Sequence, residues 1–507
     1  MSDVHGIVRD SGQGSQPTIQ HLHSGSPHTS LDVSFSNGVL RLTVDQFEQR
    51  RLYWRKLPDD GGIEFASRID LLRKSTDAIC LEALSCQWTQ SMSVSERSLF
   101  QEINRVPAGK TLVYDGRTVQ FENNEETLTP ADPNEVLLGV LRSLRGRDVV
   151  LGLSGGFDSR TLMAALHGAE VPFRVHTYGT RAMPDVRRAR DVSVHDGVSV
   201  IVSEIDKEEW DVHSVLTSLR KTAWQSEGTY PGVHALVFDN ADERLGPKAV
   251  LVDGGYGALL RGGFGNSLIV RASRALTDRH AEEVVRHLGV RGCETLHPDV
   301  QEAAHALTVD AMQSALDAMP AYFRQHSRQW IDEFFLRWNP RGYTAAPQAV
   351  YDARLNSAPT FLDEDVVRAV FNSPIEFRSN GRWFRSMISK WRPNLRSHAM
   401  VGKSRDVPWA LAGRPMTSAI WSRLLPSYPE AAHGAIERHF YALLRPVIMD
   451  LSGSIMSSQF DVWDMNEIQR LAAATSATEG THEDRATLLL WLGYRLMADT
   501  PQNSATA

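Results

Sequence analysis

Residues 149–166 read VVLGLSGGFDSRTLMAAL, and the fold turns on them. Val149, Val150, Leu151 and Leu153 form a short apolar run that gives way to Ser154-Gly155-Gly156-Phe157-Asp158-Ser159, after which Leu, Met and Ala dominate. This is the order of a buried strand, a glycine turn and a helix start. Such a junction aims backbone N–H groups and the positive end of a helix dipole at an anion, usually a phosphate. Gly155 and Gly156 allow close approach, Ser154 and Ser159 add hydroxyl donors, and Asp158 can hold a divalent metal. The structural alternative is a tight strand-to-helix turn with Asp158 as its brace.

Outward from this stretch, strand and helix signals alternate from Pro130 onward. A strand is predicted near 173–178, a helix over 185–195 with Pro184 at its first position, and a β-branched strand over 198–202. A helix over 208–220 and a strand over 249–252 follow, the latter running into Asp253-Gly254-Gly255. The alternation predicts an α/β fold with a doubly wound parallel sheet. In such sheets ligands sit at the carboxyl ends of the strands, so the loops after Leu153, Tyr178 and Val252 should converge on one crevice. Beyond about residue 270 the chain reads as helical, with predicted helices over 280–287, 300–319, 330–338, 363–371, 382–391, 437–449 and 483–497. Trp330, Phe334, Phe335 and Trp338 have helical spacing and predict a buried stripe.

Upstream, residues 31–125 carry short alternating runs separated by turns at Asn37-Gly38, Asp59-Asp60-Gly61-Gly62 and Asp115-Gly116, which predict β-hairpins in a small β-rich module. Helices are expected near 68–73 and 77–86. Residues 1–30 are rich in Ser, Gly, His and Gln and predict a disordered tail, with His21, His23 and His28 solvated rather than metal-bound. Residues 126–500 form the α/β part.

The length of 507 residues allows two or more domains, and 42% hydrophobic with 23% charged residues suits a soluble globular protein. A net charge of −7 points away from nucleic acid and from an anionic membrane surface as partners. Cys80, Cys86 and Cys293, an odd set at unrelated spacings, argue against a disulfide framework or zinc site and fit a reducing compartment. The most apolar segment, residues 488–497, is too short to span a bilayer and is broken by Gly493 and Arg495. A cytoplasmic location is expected.

The loop lacks the Lys-Ser/Thr ending that serves terminal phosphate transfer. Without a lysine and with serine hydroxyls, it suits a held pyrophosphate leaving group, and hence attack on the α-phosphate to give an adenylate. Loop and surroundings resemble the asparagine synthetase family, whose synthetase domain is an ATP pyrophosphatase and whose relatives include β-lactam synthetases and lasso-peptide cyclases. The resemblance rests on the loop, on Thr177-Tyr178-Gly179-Thr180, on Asp185 and Ala189, and on Asp253-Gly254-Gly255. Phe361-Leu362-Asp363 and Lys403 with Pro408 extend it. It implies an ATP-pyrophosphatase-type sheet with a helical C-terminal part, preceded by a remnant of an N-terminal-nucleophile glutaminase fold. It further implies ATP and Mg2+ as cofactors. Nucleotide contacts then fall to Leu153, Ser154, Gly155, Gly156, Asp158, Ser159, Thr177, Tyr178, Gly179, Gly254 and Gly255. Lys403 becomes the ammonium that steadies the negative charge built when an amine attacks an acyl adenylate.

The sequence departs from the family in three places. Arg51-Leu52-Tyr53-Trp54 and Phe65-Ala66-Ser67 resemble only the later half of the glutaminase domain, and Ser2-Asp3 stands where its nucleophilic cysteine belongs. Nitrogen is therefore expected from free ammonia or a substrate amine. Gly257-Ala258 replaces an acidic pair involved in magnesium binding, which leaves Asp158 and Asp253 as the expected metal pair or else weakens metal binding. Asn356 replaces a glutamate that handles the amine proton; Asp352 or Tyr351, about one helical turn away, can substitute, and Glu227 can instead face the substrate. The expected function is an ATP-dependent amide-forming ligase that adenylates a small-molecule or peptide carboxylate. Lasso-peptide or lactam macrocyclisation is an alternative form of it, and a catalytically weakened nucleotide-binding scaffold is an alternative of another class. RNA thiolation is disfavoured by the acidic balance.

Overall fold

Two antiparallel sheets build the N-terminal module in the computed structural model, which describes residues 4–8, 18–21, 31–58, 62–124, 131–261, 273–321, 327–402, 405–411, 424–428, 434–454, 456, 460–476 and 479–499. Strands β1 (Val4–Val8), β2 (Thr18–His21), β3 (Leu31–Ser36), β4 (Val39–Val44), β5 (Tyr53–Lys56), β6 (Ile63–Ala66), β7 (Asn104–Arg105), β8 (Lys110–Tyr114) and β9 (Val119–Asn123) run in chain order. They assemble as β2-β1-β6-β5-β7 and β3-β4-β8-β9. Leu40, Leu42 and Val44 alternate with more exposed residues along β4 and meet Trp54, Phe65 and Leu112 in a shared core. That is sandwich packing, with each sheet lending one apolar face. The hairpins expected at Asn37-Gly38 and Asp115-Gly116 form.

Two expectations fail here. Part of the presumed N-terminal tail is ordered as strand, since β1 pairs with both β2 and β6 and buries Val8. These strands are too short and too polar to show a period, and pairing, of β2 with β1 and of β1 with β6, is what orders them. The helix expected near 68–73 is only a 3-10 turn over Ile69–Leu71, and helix α1 (Leu81–Thr89) starts later than predicted. Buried Asp77 accepts from the Lys74 N–H at 2.7 Å and from Arg55 at 2.7 and 2.9 Å, which fixes a turn where a helix would otherwise begin.

Helix α2 (Pro133–Arg142), capped by Asp132, leads into β10 (Asp148–Gly152) and α3 (Phe157–Gly168). Then follow β11 (Phe173–Gly179), α4 (Pro184–Asp196), β12 (Val200–Glu204), α5 (Val212–Gln225) and β13 (Ala249–Asp253). With β14 (Asn356–Ala358) they form a five-stranded sheet in the order β12-β11-β10-β13-β14, parallel throughout. Val149 and Leu151 face one core and Val150 the other, so β10 is covered on both sides by helices. The first core takes α3 and the stripe Trp330, Phe334, Phe335 and Trp338; the second takes α5 and the helices Ala435–Ser452 and His482–Ala498. The remaining predicted helices form within a few residues of their expected bounds. No helix among the described residues is long and apolar enough to cross a membrane.

Candidate functional site

The chain passes from β10 to β11 on one side of the sheet and reaches β13 on the other, so the strand order reverses beside β10. That is where an open α/β sheet leaves a crevice at its carboxyl edge. The loop after β10 and the loop after β13 both end in it. They close a cavity of about 460 Å³ together with the end of β11.

The serine-glycine loop is pre-shaped by its own hydrogen bonds. The Ser154 hydroxyl accepts from the Gly156 N–H at 3.1 Å and lies 3.1 Å from the Ser159 hydroxyl, which accepts from the Ser154 N–H at 3.2 Å. Asp185, near the start of α4, accepts from the Gly155 N–H at 2.9 Å. Burial raises the Asp185 carboxyl, and the Gly155 N–H offsets part of this. Gly156 caps α3, a 12-residue helix, so its first-turn N–H groups point toward the loop. An anion in the cavity would meet those groups and the two hydroxyls.

Two glycines are required by close approach. A Cβ on Gly155 would lie 2.0 Å from Val401 Cγ2, because the hairpin β15 (Met400–Val401) and β16 (Asp406–Val407) docks there, its Val401 N–H donating to the Gly155 carbonyl at 2.8 Å. A Cβ on Gly254 would lie 2.5 Å from the Ser159 nitrogen, so the two loops touch backbone to backbone.

The opposite wall is aromatic. The rings of His176 and Tyr178 lie roughly parallel, and Phe238 meets each of them edge-on at a centroid distance of 5.5 Å. Tyr351 packs edge-on against Phe238 at 5.3 Å. The His176 ring is buried, bonded to the Ser203 hydroxyl at 3.0 Å, and burial pushes its pKa down to about 4.

Of the residues expected from sequence, Leu153, Ser154, Gly156, Asp158, Ser159, Thr177, Tyr178, Asp253, Gly254 and Gly255 line this cavity. Gly155 and Gly179 do not; Val401 covers the first, and Met183 and Val186 crowd the second. Asn356 and Asp352 do not line it either. Asn356 opens β14 opposite Val250, three positions before the Asp253 end of β13. Buried Asp352 binds Arg50 at 2.7 Å, Ser357 at 2.6 Å and Gln348 at 2.8 Å, a brace between the sandwich and the sheet. Tyr351, not Asp352, reaches the cavity. Glu227 does not face a substrate: its fully buried carboxylate accepts from Arg51, Arg105, Tyr53 and the Leu99 N–H. Lys403 lies outside the described residues.

The expected metal pair is altered. Asp158 lines the cavity, but the Arg261 guanidinium holds its carboxylate in a fork, Nε to Oδ1 at 2.6 Å and Nη2 to Oδ2 at 3.3 Å. Asp253 turns one oxygen back to the Gly255 N–H at 2.7 Å, and burial raises its pKa. Among the described residues no cluster of three or more His, Cys, Asp or Glu is placed to hold a metal.

Sequence reading missed Asp185 as a loop brace, His234 and Phe238 as cavity lining, and Arg261 as the partner of Asp158. Asp185 had a local signal in its place just after Pro184 at a helix start facing the crevice. The others had none, because they come from irregular segments or contact across long sequence separations.

A scan against protein-family models finds no matching family, and a search of curated proteins finds no similar one.

Proposed function

We propose that the protein is an ATP-dependent ligase of the asparagine synthetase type, which activates a carboxylate as its adenylate and passes it to nitrogen as an amide. The observation that carries this reading is the meeting of the Ser154–Ser159 and Asp253–Gly255 loops at the reversal point of a parallel sheet, facing an aromatic wall. The cavity volume is in the range of small-molecule and cofactor sites. Adenine would lie against Tyr178 and Phe238, and the phosphates against the α3 N-terminus with the Ser154 and Ser159 hydroxyls. The lysine-free loop suits a pyrophosphate that is held and released rather than a terminal phosphate that is transferred.

Lys403 would steady the charge on the tetrahedral centre as the amine attacks and AMP leaves. Its nearness in sequence to Val401, whose N–H donates to the Gly155 carbonyl at 2.8 Å, favours it over other lysines. The nitrogen source would be free ammonia or a substrate amine. Burial pushes the Cys86 thiol up to about 12 and also raises Cys293, so neither of these thiols is activated for glutamine hydrolysis. The sandwich would then be the scaffold remnant of a glutaminase fold.

The test is exchange of labelled pyrophosphate into ATP across a panel of amino-acid and peptide carboxylates, with mass spectrometry of the amide product. Carboxylate-dependent exchange is expected in wild type and retained in Lys403→Ala, which should lose the amide product. ATP binding without exchange for any acid would replace this reading with a nucleotide-binding scaffold.

A further inference from the structure

The charge arrangement around Asp158 permits a more specific statement, which rests on the nucleotide reading above. Asp158 sits in the second turn-forming position of α3, where a carboxylate could take one side of a divalent cation. Both of its oxygens are already engaged by Arg261, whose planar fork matches a carboxylate in two bonds. The pair is only partly exposed, 28% for the Arg261 side chain and 20% for Asp158, so water screens it incompletely.

A second carboxylate at position 257 would collide with Asp158 as it now sits. A Cβ on Gly257 would lie 2.6 Å from Asp158 Cβ and 2.7 Å from its Cγ, so a side chain there would have to displace Asp158 from the Arg261 fork. Gly257–Leu260 forms one short helical turn, and Arg261 directly after it reaches Asp158. Glycine at 257 and arginine at 261 therefore belong to one arrangement. The glycine leaves Asp158 its place in the fork, and the arginine supplies the positive charge that an acid-bound cation would have brought.

We propose that Arg261 replaces a divalent cation as the fixed counter-charge of Asp158, and that this site takes the phosphates of ATP without needing a metal ion held by Asp158. Arg261 does not itself line the cavity; it acts through Asp158, which does, so the carboxylate presented to the phosphates already carries its counter-charge. Arg261 is a positioning and charge-supplying residue here, not a group that reacts.

The experiment measures ATP binding by calorimetry to the full chain in excess EDTA and again in excess Mg2+, with Mn2+ binding followed by electron paramagnetic resonance in the absence of nucleotide. Wild-type protein is expected to bind ATP with affinities that agree within roughly tenfold between the two conditions, about 1.4 kcal/mol at most. It is also expected to bind no Mn2+ at this site. Arg261→Gln frees Asp158, so its ATP binding should weaken in EDTA, recover with Mg2+, and be accompanied by a new Mn2+ site that Asp158→Asn in the same chain removes. Arg261→Lys keeps the charge without the fork and should lie between wild type and Arg261→Gln, and circular dichroism of each variant checks folding. Wild-type binding that appears only with Mg2+, or a Mn2+ site in wild type, overturns the proposal while leaving the nucleotide reading intact. Absence of ATP binding in both conditions overturns the nucleotide reading and this inference with it.

Discussion

Glu227→Gln should loosen the joint between the N-terminal sandwich and the α/β part without touching the cavity. Three of the four donors to Glu227, from Arg51, Arg105 and Tyr53, belong to the sandwich, and they converge on one oxygen at 2.5, 2.8 and 2.6 Å. The fourth, the Leu99 N–H, meets the other oxygen at 2.9 Å. Burial alone would raise the Glu227 carboxyl, yet Arg105 and Arg51 hold it below the usual carboxylate range. Glutamine preserves the shape but removes the charge and turns one acceptor into a donor that opposes its neighbours. Arg51 and Arg105, 8% and 5% exposed in their side chains, would keep Glu48, 3.8 Å from Arg51, as their one remaining carboxylate neighbour among the described residues. Removing one partner of a buried ion pair costs about 3–5 kcal/mol. If the chain unfolds as one unit, its unfolding entropy is roughly 1 kcal/mol per kelvin, so the melting temperature should fall by about 4 °C. The same charge sets the acid limb. A carboxyl held low in the folded state stabilises above its unfolded pKa and loses that stabilisation as pH falls through the folded value. Calorimetric melts at pH 7 and along an acid series should show wild type losing more stability on acidification than Glu227→Gln. A variant that melts within about 1 °C of wild type at pH 7, with the same acid slope, would refute the assignment of this cluster as the joint.

Two further outcomes follow from the site. Gly155→Ala places a methyl against Val401, at 2.0 Å from its Cγ2, and should cost about 1–3 kcal/mol with weaker ATP binding; Val401→Gly in the same chain should restore much of the melting temperature, and absence of that rescue would sink the contact as the cause. His176 stays neutral in the folded chain down to about pH 4, whereas an unfolded histidine takes its proton near 6.5. The unfolded state therefore binds more protons between those values, and stability should decline by about 3 kcal/mol as pH falls from 6.5 to 4. His176→Gln should flatten that part of the stability curve in urea melts, and an unaltered slope would count against it.

What could be read from sequence was what local chemistry encodes. The apolar run of β10, the glycine turn and the apolar start of α3 are contiguous, so strand, loop and helix followed from eighteen residues. The short alternating runs of the sandwich were legible for the same reason, once turn residues separated them. β14 was not read as a strand, since three residues are too few to show a period, and Asn356 was weighed as a site residue when it is a sheet residue. Asp352 and Glu227 carried the chemistry of a general base in a sequence reading. Their partners Arg50, Arg51 and Arg105 lie between 122 and 302 positions away and convert both into braces. Burial with a saturated set of donors is what separates a brace from a base, and neither property has a local signature.

Position 257 shows the same limit in the other direction. Read through the family resemblance, Gly257 stands where an acid was expected, and Arg261 is one arginine among many. In the fold, the glycine lies on Asp158 and the arginine grips it, 103 positions away along the chain. Simple loss of an acidic residue would leave Asp158 open to the cavity with its charge unmatched. A guanidinium seated on both of its oxygens, placed directly after the Gly257–Leu260 turn, is the arrangement that a substituted charge would require. The two accounts diverge at one measurable point, because an open carboxylate would gather Mn2+ and a forked one would not.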